Sequence, residues 1–140
     1  MATTVTVKVY FEAAHRIHNP DKPDEWNRET YGKCNNPHGH GHNYVLEVSV
    51  EGEPNPDTGY LMDMKDIKEI IRRVVVADVD HRHLNSEVPW LSGINPTSEN
   101  LARVFFDRIE SEFPDHIRLA ALTVHETDRN SATYRRSFDY

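Results

Sequence analysis

Cys34-Asn35-Asn36-Pro37-His38-Gly39-His40-Gly41-His42-Asn43-Tyr44 runs straight into Val45-Leu46-Glu47-Val48-Ser49-Val50. The second segment is β-branched and apolar and reads as a strand. If that strand begins near His40, the side chains of His40, His42 and Tyr44 share one face, because strand side chains repeat every second residue. Two imidazoles spaced in this way can converge on one metal ion. Zinc takes nitrogen ligands at about 2.0–2.1 Å and prefers a tetrahedron. Two histidines are too few, so the reading demands a third ligand from elsewhere. His38 and His40 are also two apart, which leaves a second register open, one step earlier.

Working upstream, residues 4–13 alternate, with Val5, Val7, Val9 and Phe11 on one face and Thr4, Thr6, Lys8 and Tyr10 on the other. That is a half-buried strand, and it runs into Ala13-Ala14-His15. Sequence-adjacent strands usually pair, so His15 is the third ligand of choice. Three histidines and an open position describe a catalytic zinc site rather than a closed structural one. The competing reading makes all three loop histidines and part of a polar core. Between the strands, Arg16 to Pro37 is long and polar, with a short helical piece expected around Pro23–Tyr31. A connection this long in so small a protein is usually functional.

Downstream, strand two spans about 40–51. Asn55-Pro56-Asp57-Thr58-Gly59 is a turn, and Tyr60-Leu61-Met62 reads as a short extended piece. Asp63 is a candidate N-cap for a helix over about 64–76, with Ile67, Ile70, Ile71, Val74 and Val75 at helical spacing. Thr97 or Ser98 caps a second helix whose apolar positions are Leu101, Val104, Phe105, Ile109 and Phe113. Ile117 to Glu126 and Thr133 to Phe138 read as strands three and four. The order β-β-α-α-β-β predicts an α+β fold, an antiparallel four-stranded sheet with two helices on one face.

The chain has 140 residues, enough for one domain with its own core, expected over 1–140. Its formal charge is -7, which disfavours the basic face that a nucleic-acid partner needs. A local cluster of Lys and Arg can still hold an anionic small molecule. One cysteine cannot form an internal disulfide, and no apolar run approaches ~18 residues. The N-terminus lacks a basic-then-apolar signal pattern. These features predict a cytoplasmic protein with no membrane partner.

Three further places carry candidate chemistry. Cys34 is either a buried structural thiol or, near a dication, a thiol of lowered pKa able to act as base or nucleophile. Asp80-His81 is either a solvated turn or a proton-relay pair, with the carboxylate orienting the imidazole. Glu126 ends strand three. It either faces solvent or accepts paired N–H donors from a flat heterocycle.

Phe11-Glu12-Ala13-Ala14-His15-Arg16, Gly32-Lys33-Cys34-Asn35-Asn36-Pro37 and His40-Gly41-His42-Asn43-Tyr44, taken with Gly52-Glu53, Asp57-Thr58-Gly59, Asp80-His81, Leu84-Asn85, Pro96-Thr97-Ser98-Glu99-Asn100 and Glu126-Thr127, resemble the 6-pyruvoyltetrahydropterin synthase family. That family includes the 6-carboxytetrahydropterin synthases of queuosine biosynthesis. The match runs through nearly the whole chain in order. Val79 departs from it, standing where the family often has leucine.

The resemblance implies the tunnelling fold (T-fold), in which subunits join their sheets into a barrel as trimers that pair into a homo-hexamer. It implies zinc on His15, His40 and His42, and Cys34 as base. Asp80 and His81 would complete the proton relay from a neighbouring subunit. Glu126 would anchor a pterin ring, and Thr97, Ser98 and Glu99 would line the same pocket.

It also implies a zinc-dependent lyase converting 7,8-dihydroneopterin triphosphate to 6-pyruvoyltetrahydropterin with release of triphosphate, on the route to tetrahydrobiopterin. The alternative within the family is a 6-carboxy-5,6,7,8-tetrahydropterin synthase, which releases acetaldehyde and triphosphate from the same substrate. The first type spaces its cysteine as C-x5-H-G-H, the second as C-x3-H-G-H. Cys34 satisfies both, through His40 or His38, while Asn43-Tyr44 and the Cys-Asn-Asn-Pro run favour the longer form. A reading from another class is a non-catalytic, zinc-stabilised pterin-binding module. Lys33 and Arg16 lie close to the motif in sequence and are candidates to meet the triphosphate.

Overall fold

A computed structural model describes residues 2–137. Its frame is a long hairpin. Strand β1 (Thr3–His15) pairs antiparallel with β2 (His40–Gly52), from Thr3↔Gly52 to His15↔His40. Between them lie helix α1 (Asp24–Tyr31) and a tight turn of helix over Gly32–Asn35. α1 fulfils the helical piece expected there.

The first amphipathic helix is longer than its expected 64–76. It begins as α2 (Met64–Ile71), capped by Asp63, whose carboxylate accepts from Lys65 N at 2.9 Å. It widens to a π-turn over Arg72–Val76 and closes as α3 (Ala77–Val79). Ile67, Ile70, Ile71, Val74 and Val75 are all buried. The second helix, α4 (Ser98–Glu110), buries Leu101, Phe105 and Ile109 as expected, and Ala102 and Phe106 as well. Val104 is only partly buried. The apolar stripe is therefore rotated from the one that the spacing indicates, because Phe106 turns towards Tyr134, with ring centroids 5.1 Å apart.

The sheet has five strands in the order β3-β1-β2-β4-β5, rather than four. Strand β4 is Arg118–His125 and β5 is Ser131–Arg135, both antiparallel to their neighbours. The additional strand, β3 (Arg82–His83), is two residues long and pairs parallel with β1 at Ala13 and Ala14. Such a short parallel bridge leaves no alternation in the sequence to read. β5 starts earlier than the expected Thr133, and Phe138 lies outside the described residues. Tyr60-Leu61-Met62 forms no strand.

Alternation along β1 separates two faces. Val7, Val9, Phe11, Ala13 and His15 are buried, and Phe11 meets Phe105 of α4 edge-on at 6.1 Å. The opposite face is open, with Tyr10 70% exposed. The helices thus cover one face, and His15 closes the buried row at the end of the sheet. Among the described residues no helix is long and apolar enough to cross a membrane.

Candidate active site

The β1–β2 register sets His40 opposite His15 and His42 opposite Ala13. Directly opposed residues of antiparallel strands point to the same face. All three imidazoles therefore lie on the covered face, at its end. β4 pairs Val45 with His125, so Glu126, the next residue, emerges beside them. Ligand atoms of His15, His40, His42 and Glu126 all lie within 4.8 Å of one another.

Each group is held in place. His15 is fully buried, and its Nδ1 lies 2.8 Å from the Pro96 carbonyl. A carbonyl only accepts, so the proton sits on Nδ1 and Nε2 is left with a bare lone pair. That Nε2 faces His40 Nε2 at 3.1 Å. Tyr44, 1% exposed, stacks on Phe11 at 4.8 Å and brings its hydroxyl 3.2 Å from His15 Nδ1. Burial, helped by the Glu126 charge, pushes the Tyr44 phenol up, so it stays neutral. Glu126 Oε2 accepts from Ser98 Oγ at 2.8 Å, at the start of α4. Gly39, at φ 77°, closes the back of the cluster: a Cβ there would stand 2.8 Å from His83 Nε2 and 2.9 Å from the His15 carbonyl oxygen.

The cluster fits a metal ion. Burial lowers His15 to about 4, with the neighbouring His40 acting in the same direction. Burial also lowers His42, again with help from His40. Both rings are therefore neutral at pH 7, as metal ligation requires. His42 Nε2 is buried and makes no hydrogen bond, although Glu126 Oε1 lies 2.9 Å away. The carboxylate is near but out of line. Buried ring nitrogens are normally satisfied, and a cation held among these donors would satisfy this one.

Cys34 is partly exposed and borders a cleft of about 740 Å³ that His40 also lines. His42 and Glu126 border a second hollow of about 640 Å³, together with Lys8, Asn43 and Val45. Of the other candidates, Thr97 caps α4 by accepting from Asn100 N at 3.2 Å. Glu99 is exposed on the first turn of that helix. His38 is exposed before β2 begins and stands outside the cluster.

Asp80 and His81 lie elsewhere. They border a hollow of the open face together with Tyr10 and Glu12, which leave β1 on the side opposite His15. His81 Nδ1 is 3.0 Å from Asp80 Oδ1, and its Nε2 is 3.4 Å from Glu12 Oε2. His81 adopts φ 60°, a strained conformation for a residue with a Cβ. It is held there by its own N–H, which donates to the Glu12 carbonyl at 2.6 Å. The Glu12 N–H donates to Asp80 at 2.9 Å, and this bond, then His81, holds the Asp80 carboxyl below its usual range. Within one chain, the Asp80–His81 pair stands over the open face and the ligand nitrogens of the cluster lie on the covered one, although His42 and His81 border one hollow of about 540 Å³.

Sequence reasoning placed Glu126 only as a ring anchor and missed its reach to His42. The position beside Val45↔His125 follows from β4 register, which no local pattern reveals. It also missed Glu12 as the partner of Asp80–His81, since Glu12 reads as an ordinary outward residue of β1.

Comparison with known proteins agrees with this geometry. The family model described as 6-pyruvoyl tetrahydropterin synthase matches residues 4–137. The 6-pyruvoyl tetrahydrobiopterin synthase of Poecilia reticulata is 42% identical over 125 residues, 89% of this chain and 84% of that one. The protein of the same name from Homo sapiens is 37% identical over 131 residues, 94% of this chain and 90% of that one. The solved structure of Caenorhabditis elegans 6-pyruvoyl tetrahydropterin synthase superposes with a TM-score of 0.90 at 38% identity, covering 98% of this chain and 97% of that one. With its sheet order, its helix-covered face and its sequence in agreement over nearly its full length, this chain belongs to the 6-pyruvoyl tetrahydropterin synthase family.

Proposed function

We propose that this chain is a zinc-dependent lyase that converts 7,8-dihydroneopterin triphosphate to 6-pyruvoyltetrahydropterin and releases triphosphate. The observation that carries the reading is the four-residue cluster, His15, His40, His42 and Glu126, with Cys34 bordering the cleft that His40 lines. A nitrogen-rich donor set with an open position suits zinc. His15, His40 and His42 hold the ion, which when bound supplies a Lewis acid that acidifies the hydroxyl-bearing carbons of the substrate side chain.

The chain's own residues do the rest. Glu126 accepts the parallel N3–H and amino donors of the pterin ring, with Ser98 orienting its carboxylate and Thr97 and Glu99 at the same helix start. Cys34, as thiolate, takes a proton from the side chain. His81, oriented by Asp80, moves a second proton. Triphosphate leaves by elimination, and tautomerisation delivers the side chain's electrons to the ring, so the reaction is internally balanced. The exposed position of His38 outside the cluster supports the longer Cys34–His40 spacing, and with it the pyruvoyl product over the carboxy product.

Asp80 and His81 stand on the side of β1 opposite His15, away from their own chain's ligand nitrogens. This supports a homo-hexamer, a dimer of trimers, in which one chain's pair serves another chain's metal. The open sheet face and the outer strand β5 are the surfaces such a barrel uses, and closure removes the exposed edge. We read the whole of 1–140 as one domain working in the cytoplasm. Incubation with 7,8-dihydroneopterin triphosphate, followed by mass spectrometry, tests the reading. The expected products are 6-pyruvoyltetrahydropterin and triphosphate. A 6-carboxy product with acetaldehyde would establish the alternative chemistry, and bound but unchanged pterin would establish a binding module.

A further inference from the structure

The chain reaches the Asp80–His81 pair from its first long helix through the π-turn over Arg72–Val76. A π-turn widens the helix and takes carbonyls out of the α-helical ladder, so they need partners elsewhere, and such turns are frequent at functional sites. Here a partner comes from another element. Arg108, in the last turn of α4, donates from Nε and Nη2 to the Val74 carbonyl at 3.3 and 3.2 Å. The same guanidinium lies over the Trp90 ring, 4.0 Å from its centroid, and its Nη2 stands 3.7 Å from Asp78 Oδ2. Trp90 Nε1 donates to that oxygen at 2.9 Å. Asp78 belongs to α3, just before the pair, and Trp90 to a tight turn of helix over Pro89–Leu91, after β3. One side chain therefore ties together both flanks of the segment that carries Asp80 and His81.

The tie is passed on to the pair by the backbone. Two residues past Val74, the Val76 carbonyl accepts from Asp80 N at 2.9 Å. Val79 and Leu84, on either side of the pair, are fully buried, and Leu84 N donates to the Ala14 carbonyl at 2.8 Å. Between these anchors His81 takes its φ of 60°. A residue with a Cβ keeps such a conformation only where its surroundings over-determine it. Arginine suits this place better than lysine, because its planar fork gives two donors to one carbonyl while its face stacks on an aromatic ring. We propose that Arg108 is a positioning residue for the Asp80–His81 pair. It fixes the π-turn, and through the Val76 carbonyl and α3 it fixes where Asp80 starts and how His81 is turned towards it. The assignment rests on the proposed function for what the pair does, but not for how the pair is held. Arg108 lies at the end of α4 opposite Ser98, so loss of its guanidinium leaves the Glu126 side of the histidine cluster in place.

The test is a double-mutant cycle on the metal-loaded protein. Arg108→Met keeps an unbranched stem beside Trp90 and removes every donor. It is expected to lower kcat about ten- to a hundredfold, the scale of a misplaced reacting group, with KM, zinc content and biopterin affinity unchanged. Arg108→Lys keeps the charge and should retain part of the lost rate. In a His81→Ala background Arg108→Met should cost nothing further, because a positioning residue acts only through the group it positions. Deuterium exchange read by mass spectrometry is independent of turnover: amides of residues 77–84 should exchange faster in R108M, and those of β2 should not. Arg73→Met is the control. It removes from the same π-turn a side chain whose partners are the exposed carboxylates of Glu69 at 3.6 Å and Glu112 at 3.1 Å, and should leave kcat within about twofold of wild type. Where H81A is impaired, an unchanged kcat in R108M, a loss that multiplies with that of H81A, or an equal loss in R73M overturns the assignment. Should R108M not fold, R108K carries the same cycle. If H81A keeps full turnover, the pair's part in the proposed function falls and the exchange result decides alone: faster exchange confined to 77–84 upholds the positioning role, and no change overturns it.

Discussion

Two histidine-bearing regions face away from each other across the same strand. His15, on the covered side of β1, is buried among other rings, lowered to about 4 by burial, and points a bare nitrogen at its neighbours. His81 stands over the open side beside Glu12, 73% exposed, with carboxylate oxygens near both ring nitrogens. The first environment removes protons and leaves lone pairs unmet, and a metal ion answers both conditions. The second leaves a histidine wet and oriented by carboxylates at the edge of an open hollow, which suits moving a proton. One is a metal site with Cys34 at its edge, and the other is a carboxylate-oriented histidine on the open face.

The sharpest way to break this contrast is to remove ligands from the buried region. His15→Ala, His40→Ala and His42→Ala should each strip the metal and abolish turnover, while His38→Ala should retain both. Metal analysis by plasma mass spectrometry reads this directly. Loss of metal in H38A with retention in H42A would move the register by one step and favour the carboxy-type chemistry.

Removing the proton-handling groups should be smaller in effect and different in kind. Cys34→Ala and His81→Ala are each expected to lower kcat by about 10²–10⁴-fold, the usual contribution of a positioned acid or base, with zinc content unchanged. The two regions can then be recombined. If one chain's His81 serves another chain's cluster, mixing C34A with H81A and reassembling them should recover activity at the interfaces that inherit both intact halves. No recovery from mixed assemblies would place the whole reaction within one chain, contrary to the opposed faces seen here.

The buried region was the more legible of the two in sequence. Strand periodicity put His40, His42 and Tyr44 on one face, and pairing of neighbouring strands brought His15 to them, because both rules act over a few residues. Glu126 was placed on the right strand but in only half of its surroundings, since its approach to His42 depends on the β2–β4 register across a long sequence separation. In the open region, Asp80-His81 was legible as a pair, but not its face. That face follows from β3, two residues bridged in parallel to β1, and from the φ 60° turn at His81. Neither has a periodic signature.

Acid separates the two regions by window. For His15 the folded value is about 4 and the unfolded value about 6.5. Between these limits the unfolded chain binds a proton that the folded chain refuses, so stability falls as pH drops from about 6.5 to 4 and is not lost further below. A shift of this size corresponds to up to about 3 kcal/mol. Asp80 acts in the same sense but in a lower window. Its folded value is depressed by the Glu12 amide, so its contribution is present above about pH 4 and disappears only below it. Urea titrations of the metal-stripped protein from pH 7 to 4 should show the loss, and His15→Gln should reduce proton uptake in that window by about one. An unchanged slope in H15Q would mean that His15 is not held neutral by its burial.

The smallest effect expected concerns Glu126, which stands where the buried cluster meets the second recess. It has two candidate partners, His42 at 2.9 Å and the donor pair of a pterin ring, and Ser98 fixes one of its oxygens at 2.8 Å. Glu126→Gln keeps the shape and removes the charge. Ser98 can still donate to the remaining carbonyl oxygen, so the new amide faces the position of the ring. One of two parallel acceptors becomes a donor facing a donor. Leaving such a buried group unpaired costs roughly 1–3 kcal/mol, about ten- to a hundredfold in affinity. Three histidines remain, so zinc should be retained. Titration of wild type and E126Q with biopterin, alongside metal analysis, distinguishes the roles. Weaker pterin with full metal identifies an anchor that only borders the ligands. Lost metal identifies a fourth ligand. Equal affinity and equal metal would leave Glu126 without a role in either region, and would move the ring out of the recess beside His42.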